Sequence, residues 1–302
     1  MSRRRPRWAL VLVTVLAAGS AVTACAPDSG ADPDLVTVAG EFGSAPELTY
    51  AQPLAVSHSS VRVIREGTGP RVVEGEPILL DFYAESGADG TLINETYSSE
   101  PRPYLLNAES LGAEIHEALS GKRVGSRILH LVPPDAASGV ATVAVFDILP
   151  TRASGEAVEP RAGLPTVQLA EDGEPSVQVP ADTEPPAGLV TQPLLRGTGP
   201  QVAAGQVITV QYVGVRWSDG EEFDSTWAPG KMPASFPIGV GSVMEGWDEG
   251  LVEQTVGSQV LLVVPPELAW YGLENDLAEE TLVFVVDILA ASGAPASLQD
   301  GS

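Results

Sequence analysis

Three blocks of this sequence occur twice, in the same order, and that duplication constrains the fold more than any other feature. RVIREGTGPRVVEGEPILLDFY (62–83) lies beside PLLRGTGPQVAAGQVITVQYV (193–213), sharing Gly-Thr-Gly-Pro at Gly67–Pro70 and Gly197–Pro200. VGSRILHLVPP (124–134) matches VGSQVLLVVPP (256–266), and VAVFDIL (143–149) matches VFVVDIL (283–289). The offsets are 130, 132 and 140 residues. Blocks that recur in order at nearly one offset are two copies of one domain, and 302 residues leave room for two of ordinary size. The copies are expected at 36–150 and 165–291, with 151–164 as a Gly-, Ala-, Pro- and Glu-containing linker. Residues 35–55 and 165–186 are leading extensions, and 292–302 is a small-residue tail expected to be disordered.

Ahead of the first copy stands a basic run, Arg3 to Arg7, then a mostly apolar stretch from Trp8 to Val22. Fifteen such residues are short for a spanning helix and fit a secretory leader over 1–24. Val22-Thr23-Ala24-Cys25 resembles the lipobox of bacterial lipoproteins, which implies that Cys25 is acylated and becomes the new N-terminus. Cys25 is also the chain's single cysteine, so no intramolecular disulfide forms. Residues 25–35 then read as lipidated cysteine plus flexible tether. The expected location is the extracytoplasmic face of a bacterial plasma membrane, held by lipid.

Acidic residues number 40 against 16 basic ones, and the leader holds four of the arginines, so its removal moves the formal charge from −24 to −28. Such a chain repels nucleic acid and anionic lipid headgroups.

Within the second copy the apolar period is mostly two. Ile208, Val210 and Tyr212 share one strand face, as do Leu282, Phe284, Val286 and Ile288. Val260–Val264 is a continuous apolar run stopped by Pro265-Pro266. Only Ile238–Gly257 reads as loop, short helix and turn, with Val243, Trp247 and Leu251 four residues apart on one face. Glu245, Asp248 and Glu249 project elsewhere, toward water. One helix laid on about five strands predicts an α+β fold with a mostly antiparallel sheet.

Familiar catalytic sets are missing from the second copy, which has neither histidine nor cysteine. His58, His116 and His130 in the first are too scattered for a metal site. Aromatic residues are what the second copy concentrates.

QYVG (211–214), DGEEFDST (219–226), FPIGVGSVMEGWDEGL (236–251), VPPELAWYG (264–272) and TLVFVVDIL (281–289), in that order, resemble the FKBP-type peptidyl-prolyl isomerases. The resemblance implies a bent antiparallel sheet wrapped around a short helix, in both copies. It implies a proline pocket with Trp247 as floor and Tyr212, Phe223, Phe236 and Phe284 as walls. Val243 and Met244 stand at the lip, the Met244 N–H bonding a substrate carbonyl, with Asp224 and the Tyr271 hydroxyl as polar contacts. No cofactor and no metal are implied; the partners are X-Pro segments of unfolded exported proteins, the membrane through Cys25, and macrolide inhibitors. Three departures bear on rate, substrate choice and macrolide binding: Ala234 in place of an aromatic, Trp270 as an apparent insertion, and a short 273–280 loop.

By alignment the first copy replaces Tyr212 with Phe82, Phe223 with Ile93, Asp224 with Asn94, Trp247 with Ile115 and Phe284 with Ala144. Tyr104 stands opposite Phe236, and between Pro134 and Ala141 the whole tyrosine-bearing loop is missing. The expectation is a lipid-anchored prolyl isomerase assisting folding of exported proteins, catalytic in the second copy. The alternative is a surface-tethered chaperone or scaffold with FKBP-like folds and no useful turnover.

Overall fold

The computed structural model describes residues 33–135, 139–270 and 276–296; Cys25, the leader and Tyr271 lie outside them. Among the described residues no helix is long and apolar enough to cross a membrane.

The first half runs β1 (Thr37–Ala39), β2 (Glu47–Thr49), β3 (Ser60–Arg65), β4 (Pro77–Ser86), β5 (Leu92–Glu95), β6 (Arg102–Leu105), α1 (Ala108–Leu111), α2 (Ala113–Leu119), β7 (Arg127–Val132) and β8 (Thr142–Leu149). The second runs β9 (Glu156–Ala157), β10 (Thr166–Leu169), β11 (Pro175–Gln178), β12 (Val190–Arg196), β13 (Val207–Arg216), β14 (Glu222–Ser225), β15 (Ala234–Pro237), α3 (Glu245–Leu251), β16 (Gln259–Val264) and β17 (Leu282–Ser292). Sheet order is β3-β7-β8-β4-β5 with β6 also on β4, and β14-β13-β17-β16-β12-β9 with β15 also on β13. All pairings within these two sheets are antiparallel. The expected α+β fold with antiparallel sheets is the one observed.

Repetition extends to register. Arg62 pairs with Leu129 and Gln192 with Leu261; Leu80 pairs with Ile148 and Val210 with Ile288. The repeated Gly-Thr-Gly-Pro and Val-Gly-Ser blocks touch each other in both halves. Gly67 N–H donates to Ser126 Oγ and Gly197 N–H to Ser258 Oγ, each at 2.9 Å. A Cβ on Gly67 or Gly197 would lie 2.2 Å from the carbonyl of Val124 or Val256, so only glycine fits there. The motif is a backbone crossing, which is why it survives where the aromatic residues do not.

Each sheet is covered on both faces. On one side of the second, Trp247 and Leu251 of α3 pack with Ile208, Val210, Phe284, Val286 and Ile288. Helix and sheet approach closely because Gly246 and Gly250 lie four apart on one face. Their added Cβ atoms would fall 2.4 Å from Val264 Cγ1 and 2.7 Å from Leu262 Cδ2. On the other side Val213, Val215, Leu261, Val263, Val283 and Val285 meet Val167 and Val177 of the β10–β11 hairpin. The β1–β2 hairpin does the same in the first half through Val38 and Leu48. The leading extensions are therefore outer covers, and they explain why β16 and β17 read as continuous apolar runs rather than alternating ones.

Residues 151–164 lie along the second sheet. Ala153 N–H donates to Asp287 Oδ2 at 2.7 Å, Ser154 N–H to the Gly257 carbonyl at 3.0 Å, and Arg161 Nε to Gln192 Oε1 at 2.7 Å. Where the halves meet, Leu79 and Leu149 pack with Leu289 and Phe42. At the C-terminal end Ala296 N–H donates to the Ala204 carbonyl at 2.8 Å, holding residues 292–296 against the domain.

Candidate proline-binding site

The helix starts later than its spacing predicts. Met244 is its N-cap and Glu245 its first residue, which leaves Val243 in the preceding turn instead of on the helical face. Gly239 and Gly241, with φ of 72° and 75°, shape that turn. Asp248 does not point to open water: its carboxylate accepts the N–H groups of both glycines at 2.6 Å. One acidic side chain on the first turn thus fastens the loop that carries Val243 and Met244.

Trp247, 4% exposed, sits at the centre of a ring cluster. Its indole meets Tyr212 at 5.2 Å, Phe284 at 5.4 Å and Phe236 at 5.6 Å between centroids, each close to perpendicular. Edge-to-face contacts of this kind bring the positive rim of one ring to the negative face of the next. Phe284 in turn meets Phe223 at 5.6 Å and 87°. Val243 and Met244 pack against the same core. Among the described residues the Trp247 indole N–H has no hydrogen-bond partner, whereas that of Trp217 donates to the Thr183 carbonyl at 3.0 Å.

Beside the rings is a polar pair. The Tyr212 hydroxyl donates to Asp224 Oδ2 at 2.5 Å, and Lys231 Nζ lies 3.3 Å from Asp224 Oδ1. Burial pushes the Tyr212 phenol up, and the Asp224 carboxylate adds to it, so the phenol keeps its proton. For Asp224 partial burial works upward but is outweighed by the Tyr212 hydroxyl, the Lys231 ammonium and the Ser225 N–H, and the carboxyl titrates below its ordinary range.

The structure thus brings together Tyr212, Phe223, Asp224, Phe236, Val243, Met244, Trp247 and Phe284, while Tyr271 falls outside the described residues. Sequence reasoning left Trp270 as an apparent insertion, whereas its ring joins the cluster, 6.0 Å from Phe223 at 76°. It also passed over Gly214. A Cβ there would lie 2.7 Å from Phe223 Cζ and 2.9 Å from Phe284 Cε1, so the two rings close over β13 only because that residue has no side chain. The signal was present in the repeat, which has Ala84 at the equivalent position.

In the first half the same place is filled differently. Phe82 contacts Phe146 at 6.3 Å and carries the Arg102 guanidinium 6.0 Å above it. Ile93 is 56% exposed, and Ile115 and Ala144 stand where the second half has Trp247 and Phe284. His130 replaces Leu262, bonded through Nε2 to Ser59 Oγ at 2.8 Å.

Comparison with known proteins finds that residues 199–289 match the family described as FKBP-type peptidyl-prolyl cis-trans isomerase. An FK506-binding protein of Streptomyces anulatus is 41% identical over 121 residues, covering 39% of this chain and 96% of the relative. A probable FK506-binding protein of Corynebacterium glutamicum is 36% identical, covering 39% and 98%. The crystal structure of AtFKBP13 shares 32% identity over 36% of this chain and 96% of its own, with a TM-score of 0.32.

Proposed function

Because this chain belongs to the FKBP-type peptidyl-prolyl cis-trans isomerases, we propose that catalysis resides in its second half, in the pocket floored by Trp247. The single observation that carries the reading is the contrast within one chain. The second half keeps five rings and the Tyr212–Asp224 pair around one helix; the first keeps the sheet and helix with rings at only two of those five positions, Phe82 and Tyr104, and without the pair.

The chemistry asks for little else. An X-Pro bond crosses a barrier of roughly 20 kcal/mol and takes tens to hundreds of seconds unaided. No bond breaks, so no nucleophile is needed. A twisted amide has lost its resonance and much of its charge separation, so a dry aromatic enclosure favours it over the planar form. The proline ring rests on Trp247 between Tyr212, Phe236 and Phe284, the Met244 N–H holds a substrate carbonyl, and Asp224 fixes the Tyr212 hydroxyl. Each ~1.4 kcal/mol by which the twisted state is preferred gives about tenfold in rate. The first half serves as a spacer or a module for holding clients.

The decisive assay is proline-limited refolding of a model substrate. The full chain accelerates it, and Asp224→Ala lowers that acceleration about tenfold, the effect of about one lost charge-assisted hydrogen bond. Acceleration absent from the wild type leaves the scaffold reading in its place, and acceleration unaffected by the substitution overturns this pocket as the catalytic site.

Anchoring through lipid on Cys25, at the extracytoplasmic face, completes the proposal; its support is the basic and apolar leader ending in Val-Thr-Ala-Cys. In a bacterial host, Cys25→Ser is expected to move the protein from the membrane pellet to the soluble exported fraction, with loss of metabolically incorporated fatty acid. A pellet fraction that stays labelled in the variant would exclude this residue as the anchor.

A further inference from the structure

The outer face of each sheet carries one buried polar row, and the two rows are capped differently. In the second half Gln211, Asp287 and Gln259 stand side by side on β13, β17 and β16. The linker closes over them: Gln211 Nε2 donates to the Thr151 carbonyl at 3.2 Å, and Ala153 N–H to Asp287 Oδ2 at 2.7 Å. The equivalent row in the first half is Asp81, Asp147 and Arg127. Its guanidinium is spent on Asp147 and on the Gly40 and Ser44 carbonyls. Gly43 N–H caps Asp147 at 2.8 Å. Asp81, 9% exposed, is left with the Thr96 hydroxyl at 2.9 Å and no ion pair among the described residues. Where the linker covers Gln211, Asp81 borders a cavity of about 700 Å³ between the two halves. We propose that this cavity is a second binding site, which takes an arginine side chain of an extended polypeptide with apolar neighbours, its guanidinium on Asp81.

Charge and shape both point to that occupant. Two carboxylates share one arginine, so the row keeps a negative charge in a place where burial makes it costly. Burial, with Asp147 across the strand, pushes the Asp81 carboxyl up against the pull of Thr96 and Arg127, and a cation brought in from the cavity relieves that cost. The Tyr97 hydroxyl stands in the same wall, buried and without a hydrogen-bond partner among the described residues. A guanidinium carries five N–H donors in one plane, enough to serve the carboxylate and the phenol oxygen together, whereas an ammonium has no such fork. Phe42, Leu149, Pro150 and Leu289 give the apolar wall for the neighbouring side chains. Arg152 borders the cavity too, but its Nη1 is held by the Glu171 carbonyl at 3.0 Å and its charge acts on Asp287. The formal charge of −24 draws basic segments toward the whole surface. Asp81 alternates with Phe82 along β4 as Gln211 does with Tyr212 along β13, so the cavity lies on the side of the sheets away from the candidate proline pocket. The inference therefore does not depend on catalysis there.

The test is calorimetric titration of the full chain at low ionic strength with the blocked peptide acetyl-Leu-Arg-Leu-amide and with its citrulline counterpart, which keeps the shape and loses the charge. The arginine peptide binds at least about tenfold more tightly, the scale of one charge-assisted hydrogen bond. Asp81→Asn erases that difference, and Tyr97→Phe weakens the arginine peptide by about threefold. Acetyl-Ala-Leu-Pro-Phe-amide, a ligand for the candidate proline pocket, does not displace it. If the two peptides bind the wild type equally, or neither binds, the inference falls whatever the variants do. A preference that survives in Asp81→Asn, with the unfolding transition of the first half intact, places the guanidinium elsewhere and also overturns it. Displacement by the X-Pro peptide would assign the binding to the proline pocket, which ends this inference and leaves the catalytic reading standing.

Discussion

Trp247→Ala is expected to reduce turnover of X-Pro peptides at least about a hundredfold, equivalent to ~2.8 kcal/mol at the transition state, and to destabilise the second half by roughly 3–5 kcal/mol. Both effects come from the same side chain. It is 4% exposed and holds perpendicular contacts with Tyr212, Phe236 and Phe284, so its removal opens a large cavity beneath the place proposed for the proline ring. Leu251→Ala separates stability from chemistry. Leu251 is fully buried on the same helix, its loss costs a comparable few kcal/mol, roughly 2–5, and it touches the site only through packing. Measured below the unfolding transition of either variant, Leu251→Ala should keep turnover within about threefold, since Leu251 is none of the rings around the candidate pocket, while Trp247→Ala does not. If Trp247→Ala retained near-normal turnover, the floor would belong to the core alone and the catalytic reading would lose its centre.

The sequence made the architecture legible down to register, because two copies supply an internal alignment. Offsets of 130, 132 and 140 reappear as equivalent strand partners. Of the aromatic walls, Tyr212 and Phe284 were legible in strand alternation, whereas Phe223 and Phe236, on strands of four residues, followed only from the family resemblance. What stayed hidden was set by side chains reaching across the chain. Asp248 carries a polar residue's pattern on a helix, and nothing local says that it turns back to bind Gly239 and Gly241. The hairpins at 37–49 and 166–178 are short and only partly apolar, so their place on the outer faces follows from the sheets they cover, not from their own periodicity. Trp270 read as an insertion because an extra residue before Tyr271 can be absorbed on either side of it. The 3-10 turn beginning at Pro266 decides the matter by presenting Trp270 to Phe223.

Asp287→Asn is expected to stabilise the second half by roughly 2–3 kcal/mol at pH 7 and to flatten its stability between about pH 4 and pH 6. In the first half Asp147 is gripped by Arg127, through Nε at 2.7 Å and Nη2 at 2.7 Å, with the guanidinium also donating to the Gly40 and Ser44 carbonyls. The second half has Gln259 in place of that arginine, and among the described residues Asp287 receives only the Gln259 amide at 2.8 Å and the Ala153 N–H. Burial without a paired cation pushes the Asp287 carboxyl up to about 6 from 3.8, against smaller downward pulls from those two donors and Arg152. A folded-state value above the unfolded one means that the native state binds the proton more tightly. The resulting stabilisation is complete below pH 4 and is lost as pH rises through about 6. Asparagine removes the ionisation and keeps one acceptor oxygen for the two donors; across the strands Gln211 pairs with Asp287 in register, and among the described residues its Oε1 is buried without a partner, an acceptor for the new amide. Apart from Trp8 in the leader, all tryptophans (Trp217, Trp227, Trp247 and Trp270) lie in the second half, so urea unfolding followed by their fluorescence reports this half alone. Arg127→Gln is the opposite exchange. It leaves the fully buried Asp147 without its cation and should cost roughly 3–5 kcal/mol, visible in the far-ultraviolet transition of the first half and silent in tryptophan fluorescence. Equal slopes for wild type and Asp287→Asn between pH 4 and pH 6 would mean that Asp287 is solvated from the linker side. The strap from Ala153 to Asp287 would then be open in solution.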